Sequence, residues 1–197
     1  MPDHPTLAVY DAEAEAYAAM VGSDRPYPVL ERFLRDLPPG GRVLDLGCGT
    51  GLWAARMIAQ GFSVDAIDAS EGMAAVARAR HGITVRVGTF DTVTEVSQYD
   101  GVWAHYSLLH APRDAFAGHL ATLARALKPQ GRLFLAMKLG TGEGRDGKGR
   151  FYTYYAATEL EALLAAAGFV VTAARFGTDR GFDGSTHRFA MYHARLV

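Results

Sequence analysis

Seven residues, Asp45-Leu-Gly-Cys-Gly-Thr-Gly51, place one carboxylate beside three alternating glycines. Glycine has no Cβ, so such a turn lets backbone, including its N–H groups, approach a ligand closely. A carboxylate there repels a pyrophosphate and attracts an ammonium, which points to a nucleoside bearing an amino acid rather than to a dinucleotide. Asp68 lies 21 residues beyond Gly47, close to the usual spacing of about 20 for an acid that holds a ribose. Its two oxygens only accept, which suits two hydroxyls. Further on, His105-Tyr-Ser-Leu-Leu-His110 brings two imidazoles and a phenol close in sequence. Imidazole titrates near neutrality, so either histidine suits removal of a proton from a hydroxyl or amine. As plain alternatives, each is a hydrogen-bonded structural histidine and Asp68 a solvated loop residue.

These residues need a scaffold that gathers them. Apolar runs alternate with helical periodicities. The pattern predicts helices over Leu7–Met20 and Tyr27–Leu37, the second stopped by Pro38-Pro39-Gly40-Gly41. Strands are expected at Arg42–Leu46, Phe62–Ile67, Ile83–Val87, Tyr99–Ala104 and Gly131–Met137, with helices at Leu52–Gln60, from Ser70 as N-cap to about Arg80, and at Pro112–Leu127. A helix over Thr158–Ala167 precedes two final strands, Phe169–Phe176 and Arg188–Leu196, with no helix between them. Alternation implies a parallel sheet covered on both faces, and the last pair implies a reversal within Gly177–His187. In open α/β sheets ligands sit outside the carboxyl ends of the strands, where Asp45, Asp68, Thr89, His105 and Lys138 all fall.

Val43-Leu-Asp-Leu-Gly-Cys-Gly-Thr-Gly51 resembles the first motif of class I S-adenosylmethionine-dependent methyltransferases, Ala66-Ile-Asp-Ala-Ser70 the second and Tyr99-Asp-Gly-Val-Trp-Ala-His105 the fourth. The resemblance covers nearly the whole chain. It implies a doubly wound, Rossmann-like α/β sheet of seven strands, mostly parallel with an antiparallel last strand, in the order 3-2-1-4-5-7-6. It implies one domain over 1–197, with 1–37 as a helical cover and 138–155 as a lid. It implies S-adenosylmethionine as cofactor, held by Asp45, Gly47, Cys48 and Gly49 of the turn, by Asp68 and Ala69, by Met73 against the adenine, and by Thr89 and Phe90, with Asp91 on the adenine amino group. His105 and Tyr106 are then expected near the methyl group, with His110 facing the same pocket. Tyr10-Asp-x-x-Ala-x-x-Tyr17 resembles the family's leading segment, so Tyr10 and Tyr17 are expected at the methionine carboxylate and Arg25 as its counter-charge. A tyrosine face on a helix also serves plain packing.

After the fifth strand, Lys138–Arg150 interleaves five glycines with charges and runs into Phe151-Tyr-Thr-Tyr-Tyr155. This reads as a mobile polar lid beside an aromatic cluster. Lys138, Arg145 and Arg150 are candidates to hold a carboxylate or phosphate.

At 197 residues with a net charge of −1, the chain fits one domain and carries no basic excess for nucleic acid or anionic membrane. Cys48 is its one cysteine, so no internal disulfide forms. No signal peptide and no spanning run are legible, and a soluble cytoplasmic protein is expected. With no metal-ligand cluster and little sequence outside the core elements, a small-molecule acceptor is expected. Counting from Gly49 gives Gly49, Gly51 and Ala54, a spacing dinucleotide folds also use, so a nicotinamide-dependent oxidoreductase stays open on the glycines alone. A non-catalytic S-adenosylmethionine-binding module also stays open.

Overall fold

The first sheet strand, β1 (Arg42–Leu46), shows how the fold is specified. Val43, Leu44 and Leu46 are wholly or almost wholly buried, as expected for a central strand covered on both faces. Side chains alternate across the sheet. Val43 therefore joins Phe33, Met57, Trp103 and Phe134 on one face, while Leu44 and Leu46 join Val102, Leu120, Leu133 and Leu135 on the other.

In the computed structural model, which describes residues 3–21 and 26–197, β1 pairs in parallel with β2 (Ser63–Asp68) and β4 (Tyr99–His105). Beyond them lie β3 (Val85–Val87) beside β2 and β5 (Leu127–Lys138) beside β4. Helices α3 (Leu52–Ala59), α4 (Glu71–His81) and α5 (Arg113–Ala126) form the crossovers. The sheet closes with β8 (Phe169–Arg180) and β9 (Thr186–Leu196), and α6 (Ala157–Ala166) precedes them. Strand β9 inserts antiparallel between β5 and β8, so the order is β3-β2-β1-β4-β5-β9-β8. Two short strands, β6 (Glu143–Arg145) and β7 (Phe151–Thr153), form a separate hairpin. With these two set aside, the order is the expected 3-2-1-4-5-7-6. Helices α1 (His4–Val21) and α2 (Pro28–Arg35) precede the sheet, and α1 is broken at Glu13 (φ −112°, ψ 16°) rather than running as one regular helix.

Two expectations are revised. The 138–150 segment is not an open glycine loop. Asp146 and Arg150 form a buried ion pair across it at 2.6 Å, with side chains 4% and 2% exposed, and Arg145 and Lys148 reach back to Asp3 and Glu13 on the N-terminal segment. The last two strands also run longer than expected, reversing only at 181–185. Gly177 does not end β8, because its bare backbone lies under the ring of Phe189, its cross-strand partner. An aromatic ring over a strand glycine restores the packing that the glycine lacks. No helix among the described residues is long and apolar enough to cross a membrane.

Candidate active site

The glycine turn after β1 is held by protein partners. The N–H groups of Gly47 and Cys48 both donate to the carbonyl of Ile67, at 2.8 and 2.9 Å. The Gly49 N–H donates to Asp68 Oδ2 at 2.7 Å. These donors are therefore not presented to a ligand, against the sequence expectation. Each glycine has its own physical reason. Gly47 (φ +68°) lies against Ser107, whose Cβ a side chain would overlap. Gly51 (φ +76°) packs on Ala77. Gly49 (φ +53°) is different: a Cβ there would meet nothing nearer than the Tyr17 ring at 4.0 Å. Its missing side chain keeps open space in front of the turn.

That space is a cavity of about 510 Å³, within the range of small-molecule and cofactor sites. It gathers Tyr10, Tyr17, Gly47, Gly49, Asp68, Ala69, Met73, Thr89, Phe90, His105, Tyr106 and His110, all singled out in the sequence. Asp45 and Cys48 do not line it. Asp45 lies behind the turn, 1% exposed, hydrogen-bonded by the Ala54 N–H and with Oδ2 lacking a partner. Burial, with Asp68 nearby, pushes its carboxyl up to about 8. Cys48 packs among Ala54, Ala66 and Ala77, and burial raises its thiol, so no reactive thiolate forms. Arg25 lies outside the described residues.

Asp68 is oriented twice, by Gly49 N–H on Oδ2 and by Ser70 N–H on Oδ1 at 2.9 Å. Burial raises its pKa and these two backbone donors oppose the rise. A carboxylate has about four acceptor positions, so these bonds leave room for a further donor. Ser70 caps α4 as expected, accepting from Met73 N–H at 3.0 Å, and its hydroxyl donates to Asp11 at 2.6 Å. Gly72 lets α1 approach, since a Cβ there would lie 2.7 Å from the Asp11 carbonyl. Helix α1 is thereby docked over the cavity.

The histidines are less free than their spacing suggests. His110 Nδ1 lies 2.6 Å from the Phe151 carbonyl, which only accepts, so Nδ1 carries the proton. Its Nε2 must then accept from the Tyr10 hydroxyl at 2.9 Å, and Tyr10 in turn accepts from Arg150 at 3.1 Å. This chain commits both ring nitrogens, and burial holds the imidazole down to about 4. His105 stacks on Trp103, pairs through Nε2 with the Tyr27 hydroxyl at 2.9 Å, and is held down to about 3 by burial. His110 thus has no nitrogen left for an acceptor's proton, and His105 has one of its two committed. Tyr106 has φ +56°, rare for a bulky residue, and its buried hydroxyl has no partner.

The pH dependence of stability should have two limbs. His105, His110 and, through the same burial, His193 (about 4) are depressed below the unfolded value. The unfolded chain then binds more protons, so their stabilising contribution is full above about pH 6.5 and lost as pH falls toward 4. Asp45 is raised, so its contribution is lost as pH rises through about 8. Denaturant titrations of the ligand-free protein should give a maximum near about pH 6.5. In D45N the alkaline fall should become shallower, with the raised Asp68 still contributing, and the acid fall persist.

Sequence reasoning missed several groups. His119 on α5 lines the cavity and meets the Phe90 ring edge to face at 5.4 Å. Its Nδ1 lies 3.9 Å from Asp91, which also lines the cavity. Asp3, Thr6 and Ser107 are also on the wall. Their positions in the sequence carried no signal for them.

The comparisons agree with this architecture. A family model described as a methyltransferase domain matches residues 43–131. Demethylmenaquinone methyltransferase of Symbiobacterium thermophilum is 30% identical over 182 residues, covering 68% of this chain and 70% of that protein. Ubiquinone biosynthesis O-methyltransferase of Xanthomonas oryzae pv. oryzae is 35% identical over 105 residues, 49% of this chain, and the chain spans only 43% of that relative's length. Among solved structures, 1,6-didemethyltoxoflavin-N1-methyltransferase of Burkholderia thailandensis, with bound 1,6-didemethyltoxoflavin and S-adenosylhomocysteine, superposes with a TM-score of 0.75 at 21% identity. That match covers 100% of this chain and 92% of the other. From its sequence motifs, sheet topology and these relatives, the chain belongs to the class I S-adenosylmethionine-dependent methyltransferase family.

Proposed function

We propose that this chain binds S-adenosylmethionine in the cavity and transfers its methyl group to a small-molecule acceptor. The observation that carries the reading is the electrostatics of the turn. Its N–H groups are spent on Ile67 and Asp68, and two carboxyl groups stand beside it, Asp45 buried and Asp68 half-buried on the cavity wall. A pyrophosphate would find few donors there and carboxyl groups that offer it only oxygens, whereas a cofactor with an ammonium and a ribose finds acceptors. This disfavours the nicotinamide alternative.

The residues present fit the cofactor. Gly49 leaves the space a Cβ would fill, Asp68 keeps lone pairs for ribose hydroxyls, and Met73 and Phe90 supply apolar surface for a base. Tyr10 and Tyr17 stand across the cavity on α1, and the hairpin tied to α1 by Arg145 and Lys148 serves as its lid. When bound, the sulfonium supplies a methyl whose bond to sulfur breaks, leaving the electron pair on sulfur, as the acceptor's lone pair forms the new bond. The protein contributes proximity, orientation and exclusion of water. Cys48 is a buried free thiol, in keeping with a reducing, cytoplasmic setting.

Asp45 carries two roles that one substitution separates. If a bound ammonium draws Asp45 into its ionised form behind the turn, D45N lowers affinity by roughly tenfold while the turn keeps its shape. If it serves only the Ala54 N–H, D45N binds as wild type does.

Calorimetric titration with S-adenosylmethionine and, separately, with NADH tests the whole reading. Binding of the sulfonium cofactor alone is expected. Binding of NADH alone would make the protein an oxidoreductase and overturn it.

A further inference from the structure

Resting on the methyltransferase reading, we propose that Tyr106, Lys138 and His187 form the acceptor subsite, and that it takes a small molecule methylated on an acidic hydroxyl, a phenol or enol. These side chains are brought together where β4 and β5 end and the β8–β9 hairpin folds over. Tyr106 is on the cavity wall, and its hydroxyl is buried and unpartnered. The His187 ring stands edge to face with it, centroids 6.3 Å apart, and its buried Nδ1 also has no partner. Lys138 is 6% exposed, its ammonium 4.0 Å from the centre of the Tyr152 ring. Among the described residues no carboxylate lies within ion-pair distance of it.

The three cations after the fifth parallel strand therefore part company: Arg145 is spent on Asp3 and Arg150 on Asp146, whereas Lys138 has no ion-pair partner among the described residues. Gly181 marks the point of convergence. A Cβ there would lie 3.5 Å from both Lys138 Nζ and His187 Nδ1 and 2.7 Å from Asp183 Oδ1. That Asp183 oxygen is already taken by the Ser185 N–H and hydroxyl. Asp179 and Arg175 on β8 and Asp146 and Arg150 by the small hairpin complete the surrounding charges.

The donor set selects the acceptor. Burial and the Lys138 charge hold His187 below its usual range, so it is neutral and able to accept a proton. An amine acceptor arriving as ammonium would be repelled by Lys138. A carboxylate, already ionised, would leave the imidazole without a task. An acidic hydroxyl uses all three groups. Its O–H bond breaks as an N–H bond forms at His187 Nδ1, giving an imidazolium. The electron pair stays on oxygen, where the Lys138 ammonium and Tyr106 hydroxyl hold the anion as the nucleophile.

4-Nitrophenol is the probe, because its phenol and phenolate absorb differently. It is titrated into full-length protein saturated with S-adenosylhomocysteine, at a pH below the probe's own ionisation, and S-adenosylhomocysteine affinity is measured separately for every variant. Wild type is expected to bind the probe as phenolate. K138M and H187Q should each weaken it by roughly tenfold or more, with K138R recovering most of the loss and cofactor-product affinity unchanged. Binding as neutral phenol, equal binding by the variants, or no probe binding to a protein that holds S-adenosylhomocysteine would overturn the subsite and leave the methyltransferase reading intact. Failure of S-adenosylhomocysteine itself to bind would overturn that reading, and the subsite with it.

Discussion

Replacing Asp68 with Ala should lower S-adenosylmethionine affinity by about 100-fold or more. A hydrogen bond to a charged group contributes about 1.5–3 kcal/mol, and two ribose hydroxyls on one carboxylate bring the loss to that scale. The substitution also strips the Gly49 and Ser70 N–H groups of their acceptor. Two orphaned donors cost about 1–3 kcal/mol each in stability. Affinity is therefore to be measured well below the variant's melting temperature, with urea titrations alongside. Asp68→Asn separates the effects: one oxygen survives to take a backbone N–H, while the second acceptor is gone. It should lose about 1–3 kcal/mol, for one orphaned donor rather than two, and still bind poorly. Binding of D68A at wild-type affinity would remove the ribose assignment.

Gly47→Ala should be the most damaging single methyl in the chain, costing about 3–5 kcal/mol by denaturant unfolding. The Gly47 backbone is at φ +68°, where an L side chain is strained, and the added Cβ overlaps Ser107 Cβ, itself attached to the segment after β4. Neither strand can give way, because β1 and β4 are paired with each other. Gly49→Ala provides the contrast. Its φ of +53° carries the same kind of strain, but the Cβ enters the cavity with the Tyr17 ring 4.0 Å away. That variant should lose only about 1–2 kcal/mol of stability, yet bind the cofactor much more weakly. Equal destabilisation by the two substitutions would contradict the division of labour between the glycines.

Local rules were enough for elements whose partners are neighbours in sequence or in the sheet. Strand β1 has the expected bounds, Ser70 caps α4, and Asp68 falls at the end of β2. Alternation implied the parallel sheet and the missing helix its final reversal, while the strand order came from the family resemblance. What escaped was set by distant pairing. The β6–β7 hairpin takes its order from Asp3, Thr6, Tyr10 and Glu13, far away in sequence. The state of His110 is dictated by Tyr10 and Phe151, so its spacing from His105 overstated its freedom. The turn's N–H groups looked available because the Ile67 carbonyl that takes two of them lies on another strand. Lys138 entered as one of three surface cations, and only the fold of β8 and β9 sets it beside His187.

The most direct test of the central claim is a crystal structure of the protein with S-adenosylhomocysteine. The account predicts the ligand in the cavity, its ribose hydroxyls within hydrogen-bond distance of Asp68 and its amino-acid end over the Gly47–Gly49 turn. A ligand bound elsewhere, or in the cavity with its ribose away from Asp68, would contradict it.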